Sequence, residues 1–221
     1  MLILENITWS IPDGDQILKG VDLVIPSGGL TVITGPNGGG KTSLAKIVAG
    51  LIKQDSGRIL LDGEDLSELS ITERAKKGVG YAFQQPVRFK GITVRDLLEL
   101  AAGHPMSEKE LCDVLGSVGL CTHDYIDREV SGGLSGGEIK RIEIATVLAR
   151  SDTKLTIFDE PEAGIDLWSF AGLIDAFQKL KTKNSGSILI ISHQERILNI
   201  ADEIIVIADG KVKAKVQEVI K

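Results

Sequence analysis

Between Leu30 and Leu51 the chain reads LTVITGPNGGGKTSLAKIVAGL, and this stretch restricts the fold more than any other. A short apolar run, LTVIT, ends in a glycine-rich loop, and apolar residues then recur at helical spacing at Leu44, Ile47, Val48 and Leu51. The loop from Gly35 to Thr42 fits G-x-x-x-x-G-K-[ST], and it lies between a predicted strand and a predicted helix, the context that gives the pattern its meaning. Glycines at 35, 38 and 40 let main-chain N–H groups wrap an anion closely, and the following helix adds its positive end. Gly35, Pro36, Asn37, Gly38, Gly39, Gly40, Lys41, Thr42 and Ser43 are therefore the candidate nucleotide-binding residues. Lys41 supplies a point charge for β- and γ-phosphates, and Thr42 a hydroxyl for Mg²⁺.

Such a site takes its second protein ligand for the cation from an Asp at the end of a hydrophobic strand. LTIFDE supplies Asp159. Glu160 follows directly, beyond the metal-binding carboxylate, and is the candidate general base that orients or activates water. His193 closes the apolar run ILIIS and is a candidate to reach the γ-phosphate from a neighbouring strand.

Around these motifs the chain alternates strand and helix signals, which predicts an α/β fold with a mixed sheet. LILENITW and VDLVI, separated by the turn PDGD, read as an N-terminal antiparallel β subdomain. Ser70 with Glu73 has capping-box spacing, and VGYAF reads as a further strand. From about residue 92 to 129 the β-branched runs vanish, and Thr93 with Asp96 and Ser107 with Glu110 mark helix starts. KLTIFDE and SILIISH restore buried strands, with a helix predicted over Leu167 to Leu180 between them, and Asp209-Gly210 marks a closing hairpin. The reading is one domain over residues 1–221: a P-loop NTPase core formed by 1–85 and 151–221, with an inserted helical lobe over about 86–150.

The formal charge of -6 disfavours a broad nucleic-acid-binding or anionic-membrane surface, so phosphate binding is expected to be local. Apolar runs such as Ile188 to Ile191 fall far short of the roughly 20 residues that span a bilayer, and MLILENITWS carries no basic region or cleavage site. A cytoplasmic protein without membrane insertion is expected. Cys112, Cys121 and His123 form C-x8-C-x-H, which suits no usual zinc spacing, so free thiols are expected. SGG occurs twice, at 131–133 and 135–137. Only the second leads straight into helical spacing at Ile139, Ile142, Ala145, Thr146 and Ala149, which sets Ser135 at a positive helix end and makes the first copy an approach loop.

The ordered series of the Gly35-to-Thr42 loop, Gln84 after an apolar strand, LSGGE at Leu134 to Glu138, LTIFDEP, GID at Gly164 to Asp166, and His193 resembles an ABC-type ATPase over nearly the whole chain. The resemblance implies ATP and Mg²⁺ as ligands and an ATP-dependent head-to-tail homodimer. In it, Ser135, Gly136 and Gly137 would meet ATP held by the other protomer's Lys41. Gln84 would be the Q-loop residue linking Mg²⁺ and water to the helical lobe, Asp166 the D-loop residue crossing the dimer, and His193 the switch histidine. The aromatic that often stacks on adenine in this family is missing: the expected place falls near Ile11 and Pro12, and Trp9 reads as strand.

Transport ATPases of this family usually read like D-E-P-T-S-A-L-D, whereas this chain has DEPEAGID, with Glu162 and Gly164 as the odd pair. After the signature, KRIEIA places Glu143 where transporters commonly have Ala, and SHQERIL lacks the Asp that usually follows the switch histidine. These departures, and FQQPVRFKGI at Phe83 to Ile92, resemble the ATPase of the SUF iron-sulfur cluster assembly system. That implies a SUF-type scaffold protein as partner; the alternative is a membrane permease subunit. DNA-repair relatives would need a long coiled-coil insertion, and no heptad run is present.

Overall fold

LTVIT, LTIFD and SILII are buried almost throughout, as runs covered on both faces of a parallel sheet must be. The computed structural model describes residues 1–217 except 13, 86, 87, 132, 151, 166, 184 and 185. In chain order it begins with β1 (Leu2–Ser10), β2 (Gln16–Ile25), β3 (Leu30–Thr34), α1 (Lys41–Ala49), β4 (Ser56–Leu61), β5 (Glu64–Asp65), α2 (Ile71–Lys76) and β6 (Val79–Ala82). Helices α3 (Val94–Ala102), α4 (Glu108–Ser117), α5 (Thr122–Tyr125) and α6 (Gly136–Ala149) follow. The chain continues through β7 (Leu155–Asp159), α7 (Leu167–Lys183), β8 (Ser187–Ile191), α8 (Glu195–Leu198), β9 (Glu203–Ala208) and β10 (Lys211–Gln217).

Two units result: Met1–Tyr81 with Thr153–Asp159 and Ser185–Lys221, and Ala82–Asp152 with Glu160–Asn184. The first unit holds a mixed sheet in the order β10-β9-β3-β8-β7-β6, parallel from β9 to β7 and antiparallel between β9 and β10. Its second sheet, β2-β1-β4-β5, is antiparallel. The sequence reading anticipated the β1–β2 pair and left out β4 and β5. One core joins Leu2, Ile25 and Ile59 of the antiparallel sheet, Leu44 and Val48 of α1, and Ile33, Ile157 and Ile191 of the parallel one. Each of these side chains contributes about 1.5–3 kcal/mol by leaving water. The turn between β9 and β10 places Asp209 at φ 52 and Gly210 at φ 74, as a two-residue hairpin connection requires.

In the second unit, Ser70's capping device of the first unit is repeated at Thr93, Ser107 and Ser135, each starting a helix with a reciprocal bond to the acidic residue three positions on. The Ser135–Glu138 box was not anticipated, although its spacing stands in the sequence. Residues 160–184 group by contact with this unit: α7 packs on α4 and α6, and Phe170, Leu173, Phe177 and Leu180 are its buried stripe.

Arg74, buried on α2, fixes the far end of the phosphate-loop helix. Its guanidinium donates to the carbonyls of Ile47 at 2.6 Å and Val48 at 3.0 Å, and to those of Leu69 at 2.9 Å and Ser67 at 3.1 Å. The first two carbonyls belong to the last turn of α1, where the cap N–H of Gly50 also reaches Ile47 at 3.0 Å and the guanidinium adds a charged donor. Lysine cannot reproduce a planar fork over four acceptors, so Arg74→Lys is expected to cost about 2 kcal/mol in urea unfolding. A change under a few tenths of a kcal/mol would show that the carbonyls find other donors.

Candidate functional site

Parallel pairing levels the site residues of the first unit. Ile33 pairs with Ile191, and Ile191 with Asp159, so the chain leaves β3 toward Gly35, β8 toward His193 and β7 after Asp159 at the same sheet edge. Carboxyl ends of adjacent parallel strands are where open α/β sheets bind ligands. Gly35 has φ 134, and a Cβ there would lie 2.0 Å from the Ile207 carbonyl oxygen, so no other residue lets the loop pass β9 so closely. Gly40, at φ 99, is the N-cap of α1.

Lys41 is buried and donates to the carbonyls of Gly35 at 2.8 Å and Pro36 at 2.9 Å, which folds its charge across the loop that a phosphate would enter. Thr42 Oγ1 donates to Asp159 Oδ1 at 3.1 Å. Asp159 is 1% exposed, and its other oxygen accepts from the Tyr81 hydroxyl at 2.9 Å. Tyr81 was not among the predicted site residues; nothing in its spacing distinguishes it from a strand aromatic. His193 is exposed just beyond β8, after a buried Ser192 whose Oγ accepts from the Gln194 N–H at 3.0 Å. A cleft beside Gly38 is lined by Asp15, Gln16, Ile17, Lys19, Asp209 and Gly210. Residues 15, 16, 17 and 19 thus line the cleft beside the loop, and Trp9 packs against the core.

The second unit holds Gln84 and Glu160, and Gln84 Nε2 donates to Glu160 Oε2 at 2.5 Å. Glu160 sits at φ 45, a left-handed conformation that costs a non-glycine residue about 1–2 kcal/mol and concentrates at functional positions. On α6, Ser135 Oγ accepts from the Glu138 N–H at 3.2 Å, and Glu138 Oε2 accepts from the Ser135 N–H at 2.7 Å. The Tyr125 hydroxyl donates to the other Glu138 oxygen at 2.5 Å. That bond, with the Ser135 N–H, holds the Glu138 carboxyl below the usual range and raises the Tyr125 hydroxyl. The Gly136–Gly137 pair therefore opens a helix start already fixed by its cap, and a Cβ on Gly137 would lie 3.4 Å from the Gly164 carbonyl oxygen. Asp166 lies outside the described residues, as do Gly132 of the first SGG and Pro86 and Val87 of FQQPVRFKGI.

One turn further along α6, Glu143 Oε1 accepts from the Phe83 N–H at 2.8 Å, and Lys140 Nζ donates to the Phe83 carbonyl. Lys140 and Glu143 also form an ion pair at 3.1 Å. Burial pushes the Glu143 carboxyl up, while Lys140 and the Phe83 N–H pull it back down.

Residues 18–163 match the sequence pattern of the family described as ABC transporter. The chain belongs to that family. Its relatives include "Uncharacterized ABC transporter ATP-binding protein MJ0035" of Methanocaldococcus jannaschii, 39% identical over 205 residues, which cover 89% of this chain and 81% of the relative. "Probable ATP-dependent transporter ycf16" of Cyanophora paradoxa is 36% identical over 228 residues, covering 96% of this chain and 86% of the relative. Among solved structures, the dimeric post-hydrolysis state of the ATP-binding cassette MJ0796 bound to ADP and Pi shares the fold, with a TM-score of 0.86 and 24% identity over 98% of each chain.

The ABC chain binds ATP and is an ATPase with the α/β P-loop NTPase architecture of its family. Among the described residues no helix is long and apolar enough to cross a membrane. Cys112 and Cys121 are exposed thiols.

Proposed function

We propose that this chain is the ATP-hydrolysing subunit of a SUF-type iron-sulfur cluster assembly system, acting in the cytoplasm as an ATP-dependent head-to-tail homodimer that moves a scaffold protein. The observation that carries this choice over a transport partner is Glu143. Transporters of the family commonly have Ala there, and here the carboxylate bonds the main chain one residue before Gln84. Glu162, Gly164 and SHQERIL, which also depart from the transporter pattern, support the same reading. The MJ0796 cassette supports the dimer, being itself dimeric. A permease partner is the second reading, and the transporter names of the relatives favour it. Recovering the partners of the tagged protein from its native cells separates the two: a soluble Fe-S scaffold supports the proposal, and a membrane permease overturns it.

In the proposed reaction the loop from Gly35 to Ser43 binds the phosphates, and Lys41 exchanges its bonds to Gly35 and Pro36 for phosphate oxygens. Ser135, Gly136 and Gly137 contact the ATP of the opposite protomer, with Asp166 crossing the dimer. Glu160 takes the proton of the attacking water, Gln84 orients that carboxylate, and His193 donates toward the γ-phosphate. Thr42 and Asp159 form a hard-oxygen pair that suits Mg²⁺, which when bound neutralises charge on the phosphates. The family resemblance implies that Gln84 would be a further ligand of that cation.

Tyr81 holds Asp159 through the oxygen that Thr42 does not use, and such outer partners fix the orientation of a ligating carboxylate. Tyr81→Phe is expected to raise the Mg²⁺ concentration needed for half-maximal ATP binding by about tenfold. Equilibrium binding of a fluorescent ATP analogue across a Mg²⁺ titration measures this, and an unchanged midpoint removes Tyr81 from the metal site.

A further inference from the structure

We propose that Lys140 and Glu143 are positioning residues that fasten the Gln84 segment to the helix carrying Ser135. The proposal rests on the assignment of Gln84 and Glu160 to hydrolysis and adds what holds Gln84 in place.

The grip is two-sided. The N–H of Phe83 is held by Glu143 and its carbonyl by Lys140, so one residue's main chain is fixed from both ends by a single helix. Positions 140 and 143 are i and i+3 on α6, which puts both side chains on one face. The Lys140 side chain is 0% and the Glu143 side chain 15% exposed. The Lys140 end of this grip is fully out of water, and charge-assisted bonds hold geometry tightly. Burying a carboxylate and an ammonium is an expensive way to anchor a loop, since a packed apolar pair would stabilise the fold as well or better. What the ionic pair adds is direction: an acceptor for one main-chain group and a donor for the other.

The next residue is Gln84, whose side chain bonds Glu160. From Ser135 to Glu143 the helix rises by about 12 Å. A shift of the α6 N-terminus is therefore carried through Phe83 to Gln84, and from there to the carboxylate that acts on water.

The test is a double-mutant cycle between Glu143→Ala and Gln84→Ala, read as single-turnover ATP hydrolysis beside equilibrium ATP affinity. Glu143→Ala is expected to slow hydrolysis about tenfold with ATP affinity changed less than about twofold, and to add less than about twofold when Gln84 is already Ala. Glu143→Gln, which keeps an oxygen for the Phe83 N–H, is expected to hydrolyse within about threefold of the unaltered protein. Amide exchange at Phe83 should accelerate in Glu143→Ala while the amides of α6 stay protected, a local response that general loosening would not give. If Glu143→Ala does not fold, the same cycle is read with Glu143→Gln, where the smaller slowing must again vanish beside Gln84→Ala. Effects that multiply in full, or affinity falling in step with rate, overturn the inference alone. Gln84→Ala leaving hydrolysis unchanged overturns the underlying assignment together with it.

Discussion

Glu160→Gln is expected to lower ATP turnover by about 10²–10⁴-fold while ATP affinity stays within about twofold. The substitution keeps length and shape. Its amide oxygen can still accept from Gln84 Nε2, which bonds the carboxylate at 2.5 Å, and its backbone keeps the left-handed φ of 45. What is lost is the ability to accept a proton from water. A group that binds substrate would raise the ATP concentration required, whereas a group that acts only as charge develops lowers the maximal rate. Phosphate release and equilibrium ATP binding measured on one preparation separate these outcomes. ATP that binds without being cleaved should also hold the dimer together, which sedimentation with and without ATP reads directly. Unchanged steady-state turnover removes Glu160 as the base, whatever the identity of the partner.

Elements fixed by local pattern were legible in the sequence. The phosphate loop, the strand ending at Asp159 and the caps at Ser70, Thr93 and Ser107 are short-range features, because a glycine loop before a helix or an acid three residues after a Ser or Thr has one strong local solution. Partners supplied from distant sequence were not legible. Tyr81 reaches Asp159 across 78 positions and Arg74 reaches Ile47 across 27, and neither bond leaves a mark in spacing. The surroundings of α7 are long-range in the same way: its periodicity announces a helix with a buried stripe but not which neighbours cover it. Glu143 is an intermediate case. Its acidity stands out among Ile142, Ile144 and Ala145, but the Phe83 N–H it serves is a main-chain group, invisible to any pattern of side chains.

That position also sets the second large expectation. Lys140→Met is expected to destabilise the protein by about 3–5 kcal/mol, because it leaves the Glu143 carboxylate buried without its cation. For a chain of this size the loss lowers Tm by roughly 10 °C. The pH dependence follows from the direction of the Glu143 shift. Burial already holds this carboxyl above its ordinary value of 4.5, and Lys140 opposes that rise, so removing Lys140 raises it further. A carboxyl whose folded value exceeds its unfolded one contributes stability that is fully present below the unfolded value and is lost as pH climbs through the folded one. The deficit of Lys140→Met should therefore be small in acid and widen as pH climbs past the folded value of Glu143 in the unaltered protein, which lies above 4.5. Adding Glu143→Gln removes the stranded charge, keeps an acceptor for Phe83 and should return at least about 2 kcal/mol at neutral pH. Hydrolysis should not return with it, because the donor to the Phe83 carbonyl is still missing and the segment before Gln84 is held from one side only. Urea unfolding from acid to neutral pH, set beside single-turnover rates for the same proteins, reads stability and positioning separately. A deficit of equal size at every pH would mean that Lys140 serves packing and not the charge of Glu143.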